Sequence, residues 1–213
     1  MKIKIIITFA LALTLSNICY SQTFAGYGIK GGLVMSYLLE RRTYETINVA
    51  TDSRIGATFG IFGDFFKTKY FCTTLEINFE QKGDNEKQFY PTLRDSYSTL
   101  NVLPLSLLAK ISYPLSTSQI YVAVGPRFDI ILSAKDRETE QGFYSNIKPI
   151  SYGITFSMGA EIYISKKNAL ILEVSFSPDF TTSTGHYGNL LDNYYNYKSN
   201  SFEFKTGLKF NPL

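Results

Sequence analysis

Residues 71–81 read FCTTLEINFEQ, and their alternation decides the fold. Phe71, Thr73, Leu75, Ile77 and Phe79 fall on one face, while Cys72, Thr74, Glu76, Asn78 and Glu80 fall on the other. A period of two belongs to a strand. A soluble sandwich would also alternate, with its apolar face against a second sheet, but here the polar face is unusually charged. In a membrane barrel the apolar face meets lipid and the polar face lines a hydrated interior, which tolerates charge at positions that would otherwise be core.

The same alternation recurs along the chain and predicts eight strands. The first covers residues 25–37, the second 54–67 and the third 71–81. The fourth ends with Leu103, Leu105, Leu107, Ala109 and Ile111 on one face, and Leu100 and Val102 on the opposite parity predict a bulge near Pro104. Strands five to eight follow at residues 120–132, 151–162, 170–177 and 202–210. Short turns at 67–69, 114–118 and 165–168 alternate with long polar connections at 38–53, 84–96, 135–148 and 179–200. An even strand number, short turns on one rim and long loops on the other are the pattern of an outer-membrane barrel with its loops outside the cell. The expected fold is therefore all-β, an eight-stranded antiparallel up-and-down transmembrane barrel.

The N-terminal residues agree with export. Lys2 and Lys4 precede an apolar run from Ile5 to about Leu15, followed by small and polar residues, the form of a secretory signal peptide. Cleavage is expected after Ser21, leaving residues 22–213 as one barrel domain. Cys19 is not read as a lipidation site, because Ser16, Asn17 and Ile18 do not supply the small residue expected before a lipidated cysteine. Removing the leader lowers the net charge from +3 to +1 as Lys2 and Lys4 leave, which gives no general attraction to nucleic acid. Cys72 is then the one cysteine, so no internal disulfide is expected. With no Trp but 16 Tyr and 17 Phe, any interfacial girdle must be built from those two residues.

On the inward parity lie Lys30, Lys82, Lys110, Arg127, Lys205 and Lys209, against Asp64, Glu76, Glu80, Asp129, Glu161, Glu173 and Glu203. Eight strands enclose a space that side chains can fill, so near-balanced charge predicts an ion-paired plug. A selective pore would favour rings of one sign and remains the alternative. Gly26, Gly28 and Gly31 spell the dinucleotide fingerprint, but the segment lies within the first strand and opens no helix, so no nucleotide cofactor is expected.

His186 is the only histidine. Ser183, His186 and Asp192 form a trio that a lipid-modifying enzyme at the outer leaflet would need, yet any loop rich in Ser and Asp contains one, and a lone histidine builds no ordinary zinc site. No catalysis and no metal are expected. Tyr187, Tyr194, Tyr195 and Tyr197, set among asparagines, make an adaptable recognition surface or simply cover the barrel mouth.

Several segments resemble the PorT-like family of Bacteroidetes outer-membrane barrels: GIKGGL at 28–33, LEINFEQKG at 75–83, LPLSLLAK at 103–110 and YVAVGPR at 121–127. The resemblance spans the chain after the leader. It implies an eight-stranded barrel in the outer membrane of a Gram-negative bacterium. The family's founding member is linked to protease secretion by the type IX machinery, so an accessory role there is one implied alternative. The chain departs from the usual terminal aromatic of barrel-assembly signals, since Asn211, Pro212 and Leu213 follow Phe210. Expected partners are outer-membrane lipid, the barrel-assembly machinery during biogenesis and an extracellular or envelope protein, with the barrel itself a monomer. A soluble lipocalin-like barrel is the rival fold, and it would place apolar residues inside and charges outside.

Overall fold

The computed structural model describes residues 22–42, 50–88, 94–136, 150–181, 183–186 and 194–211. The predicted leader, Tyr187 and Asp192 lie outside the described residues. The strands are β1 (Gln22–Arg42), β2 (Ala50–Lys67), β3 (Phe71–Gln88), β4 (Arg94–Pro114), β5 (Ser118–Asp136), β6 (Ile150–Tyr163), β7 (Asn168–Pro178), β8 (Ser183–His186) and β9 (Tyr194–Phe210). Every neighbouring pair is antiparallel, and β1 closes on β9 from Tyr27↔Phe210 to Arg42↔Tyr195. Closure pairs the two ends of the sheet, which would otherwise be free edges.

Nine strands occupy eight positions. Residues 200–210 of β9 pair with β7, and residues 194–197 pair with β8, so β7 and β8 are two pieces of one stave. Pro178 ends the first piece because it has no amide hydrogen to continue a ladder. Beyond it the amides of Phe180 and Thr181 donate to the Tyr152 carbonyl at 2.8 and 3.3 Å.

The strands outrun the predicted connections. Stretches expected as loops at 38–42, 50–53, 84–88 and 135–136 belong to strands, and Tyr194, Tyr195 and Tyr197 lie in β9 rather than in a loop. The reason is that backbone groups make the ladder whatever the side chains, so polar segments extend it once their neighbours are aligned. The irregularity expected near Pro104 is a register shift between Asn101 and Val102, while Pro104 itself stays opposite Asp129. Gly26, Gly28 and Gly31 lie within β1, Gly28 and Gly31 paired on both sides and Gly26 with β2, with no helix after them.

The two faces separate cleanly. Leu33, Phe59 and Phe204 are 58%, 59% and 56% exposed on the outer wall, whereas their neighbours Val34, Thr58 and Glu203 are buried. Charges inside and apolar side chains outside exclude the lipocalin-like arrangement. Aromatic side chains cluster at the short-turn rim, where Phe24 meets Phe65 and Tyr27 meets Phe210, both at 5.5 Å between ring centroids. At Gly28 the opposite strand approaches so closely that a Cβ would lie 2.6 Å from the Phe62 ring and 2.2 Å from the Leu208 carbonyl oxygen. Glycine there lets Phe62 fill the lumen across the β1–β2 pair.

Candidate functional site

All thirteen charged residues assigned to the inward parity have buried side chains. They form three tiers along the barrel axis, each built from strands far apart in sequence.

Nearest the short turns, Lys209 Nζ binds Asp64 at 2.5 Å and Glu161 at 3.0 Å. Lys110 pairs with Glu161 and lies 3.5 Å from Asp64. The Thr74 hydroxyl donates to Asp64 at 2.6 Å, and the Gln119 amide donates to Glu161 at 2.7 Å. Two ammonium groups face two carboxylates, and neutral donors serve remaining oxygens. Cys72 is buried nearby on the same face.

In the middle tier Lys30 bridges Glu76 and Glu173, the latter at 2.8 Å, while its ammonium sits 4.9 Å from the centre of the Phe62 ring. Lys205 reaches Glu203 at 2.8 Å and Glu173 at 3.1 Å. Tyr121 donates to Glu173 at 2.6 Å, and its ring takes the Lys110 ammonium of the tier below at 4.2 Å. Tyr121 therefore joins the two tiers, an interaction that strand parity alone does not reveal.

Toward the loops, Lys82 contacts Asp129 at 3.0 Å and Glu80 at 3.1 Å, and Arg127 pairs with Asp129 at 2.9 Å and with Asp179. Asp179 is absent from the predicted set. It continues the odd-numbered inward series of Glu173, Ser175 and Ser177 past Pro178, which is the signal that would have found it. With it the three tiers join six cations to eight carboxylates. This tier is also less complete: Glu80 Oε2, Asp129 Oδ1 and two Arg127 nitrogens have ion-pair neighbours or none but no hydrogen bond of good geometry. No charged atom of the two tiers below it is among the buried unpartnered ones of the described residues.

Such a lumen holds opposite charges in fixed contact at low dielectric, where removing one partner is far more disruptive than removing both. Among the described residues no group of three or more His, Cys, Asp or Glu side chains is arranged to hold a metal ion. Ser183 and His186 both lie in β8, so the trio with Asp192 is incomplete within the described residues.

A closed antiparallel barrel with an apolar outer wall and a charged interior is a transmembrane β-barrel of the outer-membrane class. Residues 20–185 match the family described as outer membrane protein beta-barrel domain, and the chain belongs to that family. No curated protein matches it. Among solved structures it is similar to the outer membrane protein OprG from Pseudomonas aeruginosa, at 12% identity and TM-score 0.65, covering 90% of this chain and 99% of that one. It is also similar to Neisserial surface protein A, at 10% identity and TM-score 0.52, with 90% and 100% of the two chains covered. The outer membrane protease OmpT from Escherichia coli matches at 10% identity and TM-score 0.54, covering 89% and 97%. At these identities the likeness is one of fold.

Proposed function

We propose that this outer-membrane barrel is a membrane-anchored scaffold that presents its loop-side rim to an extracellular or envelope protein, with no catalytic activity and no transit through the lumen. The observation that carries this reading is the stack of ion pairs filling the barrel from Asp64 and Lys209 to Arg127 and Asp179. A pore would need a continuous hydrated path, and an enzyme would need a reactive group open to substrate. The segments at 28–33, 75–83, 103–110 and 121–127 support placing the chain with PorT-like barrels of Bacteroidetes, and Lys2, Lys4 and the apolar run after them support export on a cleaved leader.

The test has two arms. Reconstituted in planar bilayers, the barrel conducts no ions above background, and discrete conductance steps overturn the scaffold reading. Replacing residues 187–193 with a Gly-Ser linker abolishes cross-linking to the envelope partner in intact cells while heat-modifiable gel mobility is retained. Capture that survives this replacement overturns the assignment to that rim.

A further inference from the structure

The lipid-facing wall is hollowed on one side. Gly31, Thr206, Leu172, Ala160 and Ile120 lie in one ladder row across β1, β9, β7, β6 and β5, all on the outward parity. Three of these five are small. The next outward row toward the loops is Leu33, Phe204, Val174, Met158 and Val122, with the large Phe204 and Met158 on either side of Val174. Between the rows lies a depression of about 770 Å³. Apolar side chains bound it, and it opens on the face that hydrocarbon covers.

One end of this wall is the β6–β7 turn. Ala160 on β6 and Leu172 on β7 each lie four residues from it, about 13 Å along a strand. The turn carries Lys166 and Lys167, both exposed, with exposed Tyr163 and Ile164 beside them. It is held in shape: Ser165 Oγ accepts the amides of Lys167 at 3.2 Å and Asn168 at 3.1 Å, and the Asn211 amide donates to the Lys167 carbonyl at 2.7 Å. Glu161, the nearest carboxylate along β6, is buried in the lumen and paired with Lys110 and Lys209. The backbone of the turn is therefore held in shape, and it presents two exposed lysines at the short-turn rim with no exposed acid on the turn itself.

We propose that this wall binds one anionic phospholipid of the periplasmic leaflet, its phosphate held by Lys166 and Lys167 and an acyl chain lying in the hollow over Ala160 and Thr206. So short a turn keeps both charges within a Debye length, about 8 Å, of the bilayer surface. An anionic headgroup neutralises them, whereas a zwitterionic one brings its own cation. A basic side chain at the membrane surface is worth about fivefold in binding to anionic lipid, so the pair gives roughly 25-fold. The inference is independent of the loop-side rim.

Native mass spectrometry of the full barrel, loaded from vesicles of equimolar phosphatidylglycerol and phosphatidylcholine, tests it. The wild type retains phosphatidylglycerol over phosphatidylcholine by about 25-fold. K166Q/K167Q brings the ratio toward one, and A160L, which fills the hollow, lowers total retained lipid. T206L replaces A160L if that variant loses its heat-modifiable mobility. A wild-type ratio near one, an unchanged ratio in K166Q/K167Q, unchanged retention in the filled variant, or a second copy of the chain on this wall each overturns the proposal.

Discussion

The Tyr121 ring occupies the space that a side chain at Gly159 would fill. The two residues face each other across the β5–β6 pair, and a Cβ on Gly159 would come within 2.6 Å of the Tyr121 hydroxyl oxygen and 2.5 Å of the Leu172 carbonyl oxygen. An aromatic lying over a cross-strand glycine is a known means of fixing register in a curved sheet. Here it also aims the hydroxyl at Glu173. Gly159→Ala must displace the ring or the β7 backbone, and we expect a loss of about 1–3 kcal/mol. Urea titration in detergent, followed by gel mobility, measures it; a midpoint equal to wild type would mean that Tyr121 has room to move.

Glu173 holds more partners than any other carboxylate of the middle tier: Lys30, Lys205, Tyr121 and Ser175. Glu173→Ala leaves two hydroxyls and parts of two ammonium groups without their acceptor. Breaking a buried ion pair from one side destabilises by about 3–5 kcal/mol. Glu173→Gln keeps acceptor and shape, so its loss in the same titration is expected to be smaller. Equal losses in the two variants would show that charge, rather than hydrogen bonding, is what the site requires.

Phe204 stands in the middle of β9 on the lipid face, and Ile162 stands on the same face at the short-turn end of β6. Depth in the bilayer should separate them. Arginine at the midplane of a barrel's lipid face costs about 2–4 kcal/mol, falling to about 0–1 near the interface. F204R should therefore refold into phosphocholine vesicles with a markedly lower urea midpoint, and I162R with one closer to wild type. The reverse order would displace the membrane along the barrel axis.

Cys72 is 4% exposed and faces the lumen in the tier of Asp64 and Lys209. In the folded barrel a maleimide reagent should leave it unlabelled over hours, and in urea it should label within minutes. Rapid labelling of the folded protein, read by mass, would show that the short-turn end of the lumen is open to small molecules.

The period-two pattern was enough to assign class, strand direction and the two faces, because alternation is a local property of an extended chain. FCTTLEINFEQ shows this at one strand, where Glu76 and Glu80 share a parity that the wall turns inward. The same parity, carried past Pro178, contains Asp179. Less could be read where polarity hides structure. Residues 40–42 and 195–197 look like loop because Glu40, Arg41, Arg42 and Asn196 are polar, yet their backbones pair with each other between β1 and β9.

What the tertiary structure alone decided is who meets whom. Lys30 and Glu173 are 143 residues apart and come together because β1 closes on β9, with β7 beside it. Ion-pair partners inside a barrel depend on register and closure, which are collective properties of all the staves, whereas the inward or outward sense of each residue depends on its own strand. Sequence thus placed the charges on the inner face; closure of the sheet sorted them into three tiers and set a hollow in the wall on the side of the Lys166–Lys167 turn.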